Sequence, residues 1–210
     1  MPNLEQLVAP LSAFRFFYHP RLDFGDPIFR EKSVVPMILD IARLLVFPAL
    51  MAFAAASDLF TMTISNRVSV ALAAGFLVIA VAGGMPLADI VSHIGAGALT
   101  LAIAFLCFAM GWVGGGDAKI AAAAGLWFGF AHLMNYLLYA SLFGGALTLL
   151  LIQFREWPLP YSLAGQAWLI RLHAKESGIP YGIALAIGAL MIYPETEWVK
   201  AVQLSHFALG

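Results

Sequence analysis

The sequence predicts an all-α, polytopic integral membrane protein of about six transmembrane helices in a compact bundle. Of its 210 residues, 62% are hydrophobic and only 11% charged, whereas about a quarter of a soluble domain is charged. The mean hydropathy is +0.89. Apolar runs close to the ~20 residues needed to cross hydrocarbon as a helix recur along the chain. With 11 Lys and Arg against 12 Asp and Glu, the charge balance offers nothing to a nucleic-acid partner.

Residues 1–36 precede the first run and form an N-terminal extension. They do not read as a secretory signal, because no basic segment leads into an apolar stretch with a small-residue cleavage site. The extension reads as a surface-lying helix, as an extracytoplasmic segment, or as sequence upstream of a true start at Met37. The six spans fall at about 37–57, 68–84, 88–110, 118–131, 133–154 and 179–193. The apolar run from Ala118 to Phe154 is too long for one span, and His132 and Asn135 mark the expected turn within it. Pro180 and Pro194 suit the start and stop of the last span. Between spans five and six, the stretch AGQAWLIRLHAKE has the make-up of an interfacial amphipathic helix. Residues 195–210 are expected to be a tail.

Small residues are dense within the spans. Gly125 and Gly129 form a GxxxG, and Gly144 and Gly145 are adjacent, so helices can approach closely. The single cysteine, Cys107, excludes an internal disulfide and a cysteine zinc cluster and is expected to be a buried thiol. Basic loops stay cytoplasmic, which places Arg155, Arg171, Lys175, Arg67 and Lys119 inside and both termini outside. Arg15, Arg21, Arg30 and Lys32 in the extension pull the other way.

Four aspartates lie in or at the ends of spans, where an ionisable group is costly enough to suggest function. Asp40 stands three residues before Arg43, a spacing that explains it as a local ion pair. Asp89 opens span three with His93 one turn on; two ligands make a poor metal site, so a structural role is expected. Asp58 and Asp117 differ, because one out-and-back hairpin separates them and returns the chain to the same face. Asp117 suits a helix N-cap. Asp58, at a helix C-terminus, opposes the macrodipole and needs another reason to be there. Two carboxylates held close cannot both ionise, so one accepts a proton from water while the other polarises a peptide carbonyl. Helix polarity assigns Asp117 as base and Asp58 as acid.

The run Gly114-Gly115-Gly116-Asp117 with Lys119 resembles the GxGD motif of membrane-embedded aspartic proteases. Ser57-Asp58-Leu59 followed by Ile64-Ser65-Asn66-Arg67 is similar to the first-aspartate region and I-P-N stretch of the type IV prepilin peptidases. Ile179-Pro180-Tyr181-Gly182 resembles the opening of that family's last helix. The match covers about residues 37–193 and is nearest the short form that serves Flp/Tad pili. Ser65 replaces the family's usual proline, and Phe60 and Met62 stand where basic residues are common. The resemblance implies an aspartic endopeptidase of the bacterial inner membrane, with its site facing the cytoplasm. It would cut short leaders from prepilins and pseudopilins through Asp58 and Asp117, without metal or cofactor and without N-methyltransferase activity.

Gly114, Gly115 and Gly116 are then expected to let substrate backbone approach, and Lys119 to tune the pair, hold a lipid phosphate or snorkel to the interface. A proton- or cation-coupled transporter using Asp58 and Asp117 is the alternative, and an assembly scaffold a third reading. A translocation path needs polar residues in mid-span, and the middles here are nearly bare.

Overall fold

The computed structural model describes residues 27–160 and 165–207, and every regular element among them is helical. The helices are α1 (Pro27–Thr61), α2 (Asn66–Ala82), α3 (Leu87–Ala109), α4 (Gly115–Glu156), α5 (Ala167–His173), α6 (Tyr181–Ile192) and α7 (Glu197–Phe207), with a 3-10 turn at Tyr193–Glu195. The chain divides into two units, Met1–Pro36 and Met37–Gly210. Of the first, the described part is the opening of α1; all candidate site residues lie in the second.

Val34–Thr61, Leu87–Ala109 and Gly115–Glu156 are long and apolar enough to cross a membrane, and Asn66–Ala82 and Tyr181–Glu195 are shorter apolar helices. Their connections are brief. Ser65 caps α2 by accepting the Arg67 backbone N–H at 3.3 Å. Gly84 and Gly111, with φ of +70° and +74°, turn the chain after α2 and α3; positive φ is cheap only for glycine.

α4 has 42 residues and would be ~63 Å long if straight. It is not straight, because Gly129 has φ 55° and ψ −175°. Asp117 and Thr148 would stand ~46 Å apart along a straight helix, yet both line one cavity. The helix therefore folds back at Gly129, and its two halves pair so that Ala121 and Leu137, then Ala118 and Ala140, share that cavity. Phe128 stacks on Tyr136 across the bend at 4.8 Å. The expected turn at His132–Asn135 thus lies a few residues too late; Gly129 turns the chain because its conformation excludes a side chain.

Breaking a helix orphans its last carbonyls, which are costly if buried without donors. Two side chains supply them. His93 Nδ1 lies 2.6 Å from the Leu126 carbonyl, and since a carbonyl can only accept, Nδ1 carries the proton. Trp198 Nε1 donates to the Trp127 carbonyl at 2.7 Å. A Cβ on Gly129 would sit 2.8 Å from His93 Nε2, so the imidazole packs directly on the bend. His93 is accounted for structurally. The stretch expected to be a tail instead forms α7 from Glu197 and buries Trp198 against Trp127, ring centroids 5.2 Å apart.

The core is aromatic around this point: Phe47 packs on Trp127, Phe128 and Tyr193, and Trp127 Nε1 donates to the Leu72 carbonyl at 3.0 Å. The GxxxG glycines both face α3, a Cβ on Gly125 meeting Thr100 Oγ1 at 2.8 Å. Asp40 pairs with Arg43 at 3.2 Å. Cys107 is half-buried, less enclosed than expected. The stretch expected to be an interfacial helix is helical over Ala167–His173, as α5, shorter than the sequence suggests; Ala164, at its start, lies outside the described residues.

Trp198→Phe keeps an aromatic ring and removes the donor to the Trp127 carbonyl. Leaving that carbonyl unpaired should cost about 1–3 kcal/mol, read as a lower Tm of the detergent-solubilised protein. An unchanged Tm would show that the bend does not depend on α7.

Candidate active site

The site forms where three helix ends meet. α1 brings Asp58 in its last turn, and Asp58 is 5% exposed. At the end of α1 the carboxylate opposes that helix's dipole, and its position is explained by a different helix. Asp58 Oδ2 accepts the Gly182 N–H at 2.8 Å, and Gly182 is in the first turn of α6, just after Pro180 at its N-cap position. The first N–H groups of a helix are unpaired and attract anions. Asp58 thus satisfies one of them across 124 positions of sequence.

Asp117 reaches the same place from α4. The cap of that helix is Gly114, with extended φ −69° and ψ 146°, and Asp117 is its third residue rather than its cap. Its carboxylate turns back to the Gly114 backbone N–H, as the acid of a capping box does. Asp58 and Asp117 lie close enough for their charges to interact. Both carboxylates now sit at helix N-termini, so helix polarity no longer separates them. The assignment of Asp117 as base and Asp58 as acid loses its physical ground.

The glycines before Asp117 face this chain's own atoms. A Cβ on Gly114 would lie 2.7 Å from Asp117 Oδ2, one on Gly115 would lie 3.3 Å from Phe108, and one on Gly116 would lie 3.3 Å from Ile64 Cβ. Ile64 also reaches α6, where a Cβ on Gly182 would meet its Cδ1 at 2.9 Å. One aliphatic side chain therefore fills the wedge between the two helix starts that hold the carboxylates. Its loop is tied down on both sides. Ser57 Oγ donates to the Thr63 carbonyl at 2.9 Å, Thr61 Oγ1 to the Ser57 carbonyl at 2.7 Å, and Arg171 of α5 to the Phe60 carbonyl at 3.0 Å.

The residues that depart from the family pattern have local partners. Phe60 packs edge-on to Trp168 at 5.6 Å, Met62 takes a left-handed φ of 53°, and Ser65 caps α2. Lys119 points elsewhere, donating to Asn66 Oδ1 at 2.8 Å and lining a separate apolar groove with Ser69 and Gly97.

Beside Asp117 opens a cavity of about 740 Å³ between α3, the two halves of α4 and α6. Its walls are mostly apolar, and Asp117 is the one charged residue among its described lining. Among the described residues no three His, Cys, Asp or Glu side chains are grouped to hold a metal. An acid that lines a mainly apolar cavity, with a second acid near enough to feel its charge, suits acid–base chemistry on a neutral chain segment.

A family model, the type IV leader peptidase family, matches residues 45–149, which is 105 of the 210 residues. The chain belongs to the type IV leader peptidase family. It is accordingly a peptidase with apolar helices suited to a membrane. No curated protein and no solved structure matches it significantly. The matched stretch contains Asp58, Ile64 and Asp117 but ends before α6. Sequence reasoning did not place the Gly182 contact among the site residues. The only trace of it in the sequence is the Pro-Tyr-Gly at a predicted helix start.

Gly182→Ala places a methyl 2.8 Å from Asp58 Oδ2 and should lower peptidase activity about 10- to 100-fold, as small misplacements of reacting groups do. Leader removal measured against circular dichroism of the purified variant checks this. Full activity with intact helicity would mean that Asp58 does not need its α6 contact.

Proposed function

We propose that Asp58 and Asp117 are the catalytic pair of a membrane-embedded aspartic endopeptidase that removes the short N-terminal leader of type IV (Flp/Tad) prepilins and pseudopilins. The observation that carries the reading is the convergence of the two carboxylates at helix starts beside an apolar cavity.

In this mechanism the pair holds one proton. The ionised carboxylate takes a proton from water as the water oxygen bonds to the scissile carbonyl carbon. The protonated one gives its proton to the carbonyl oxygen, forming a neutral tetrahedral diol. As the diol collapses, one of its hydroxyls gives its proton to the ionised carboxylate, the C–N bond breaks, the leaving nitrogen takes the proton of the other carboxyl, and the leader is left with a carboxyl end while the pair again holds one proton. Water is the only co-reactant, so no cofactor or metal enters. Gly182 N–H fixes one oxygen of Asp58 and the Gly114 N–H orients Asp117, so both groups meet the peptide pre-positioned. Gly114, Gly115 and Gly116 support the site by admitting the Asp117 carboxylate, Phe108 and Ile64 at close range.

We read α1, α2, α3, the two halves of α4 and α6 as six passes, a reading that the bend at Gly129 supports. In that arrangement the ends bearing Asp58 and Asp117 lie with Arg67, Lys119, Arg155, Arg171 and Lys175 at the cytoplasmic face of the inner membrane. The cavity takes the apolar segment of the precursor. A single cysteine cannot build a cysteine zinc cluster, and we read the chain as a peptidase without N-methyltransferase activity. Membership of a peptidase family favours this reading over a transporter or a scaffold.

Asp58→Asn and Asp117→Asn should each slow leader removal about 1,000-fold or more, since residues acting as a unit fail together. Co-expression with a prepilin and a gel shift of the precursor reads it. Either variant processing at the wild-type rate would end the pair hypothesis.

Gly145 lines the cavity, and nothing lies within 4 Å of the point where a Cβ at that position would stand, so Gly145→Leu fills the cavity without internal clash. KM should rise about 10-fold with kcat little changed, and precursor peptide should slow maleimide labelling of Cys107, which lines the same cavity. Unchanged KM and unprotected Cys107 would place the substrate elsewhere.

A further inference from the structure

Tyr181 links the Asp58 contact to the cavity. It directly precedes Gly182, the donor to Asp58, and it lines the cavity that Asp117 opens into. Its ring passes over Gly144, where a Cβ would lie 3.5 Å away. Its hydroxyl is 3.1 Å from Thr148 Oγ1.

The direction of that hydrogen bond follows from the count of protons. Thr148 Oγ1 also lies 2.8 Å from the Gly144 carbonyl. A carbonyl only accepts, and threonine has one hydroxyl proton. That proton goes to Gly144, so Tyr181 donates to Thr148. The phenol proton is thereby turned away from any ligand, and Tyr181 Oη keeps its acceptor capacity.

A peptide drawn into this cavity loses water from its backbone, and each buried N–H then needs an acceptor. Nearly all of the cavity wall is apolar. The other lining hydroxyls whose bonds are described, Thr100 and Ser141, bond back to carbonyls one turn earlier on their own helices. Neither adjoins a carboxylate contact as Tyr181 does.

We propose that Tyr181 Oη accepts a hydrogen bond from one backbone N–H of the peptide, close to the scissile bond, and so selects for an extended segment with a free N–H there. Thr148 is the positioning residue that holds the phenol proton out of the way. Proline at that substrate position, which lacks the N–H, is disfavoured. This rests on the reading of Asp58 and Asp117 as the catalytic pair.

The test uses the full-length protein in detergent with synthetic prepilin peptides, each carrying one backbone N-methyl group in turn. For the wild type, one replacement near the cut should raise KM about 5- to 10-fold, the loss of a single hydrogen bond. Tyr181→Phe, which keeps the ring over Gly144, should show a similarly raised KM on the unmodified peptide, kcat within about twofold, and no further loss from that same replacement. Thr148→Val should raise KM in the same direction. An unaltered KM for Tyr181→Phe, or losses that simply add, would overturn the proposal. If the wild type leaves the unmodified peptide uncut, or if Asp58→Asn cuts it normally, it is the catalytic reading that has failed, and this proposal with it.

Discussion

The hydrogen bond from the Gly182 N–H to Asp58 Oδ2 at 2.8 Å joins the first apolar helix to the last apolar one. Without it Asp58 would be a nearly buried carboxylate at the unfavourable end of α1. With it, the same group meets the positive end of α6 and fills a bond that helix cannot make internally. Asp117 is held on the same terms, at the first turn of α4 and against the Gly114 N–H. The site is therefore a meeting of helix starts around two acids. Its constraint is that no atom may intrude where Gly182, Gly114 and Gly116 lack a Cβ. Ile64 occupies the space left between them, so an apolar side chain sets how far apart the acids' supports stand.

The far end of the bundle obeys a second constraint. Folding α4 back at Gly129 brings both of its halves to one cavity, and this creates unpaired carbonyls in an apolar core. Their donors come from distant parts of the chain, His93 on α3 and Trp198 on α7. Aromatic packing around Trp127 then covers the repaired bend. The arrangement uses a residue that looked like half a metal site and a segment that looked like a tail, for one purpose: to let α4 reverse.

Much of the site is legible without the tertiary structure. Hydropathy showed the apolar helices, and counting passes between Asp58 and Asp117 put both on one face. The Asp40–Arg43 pair followed from helical spacing, as did the structural place of His93 from its lack of a third ligand. Helix polarity was the argument that failed. It treated each aspartate as belonging only to the helix that carries it, and Asp58 is governed by the helix it touches.

By itself, then, the sequence determined the class of the protein, its apolar helices and the two acids, because these depend on composition and local periodicity. Only the tertiary structure decided that Gly129 turns α4, that Gly182 holds Asp58, that Ile64 lies between two glycines, and that Lys119 faces a different groove. Each of these is a contact between residues far apart in the chain or a backbone angle imposed by packing. No window of sequence contains both partners of such a contact, so its physical cause becomes visible only once the helices are assembled.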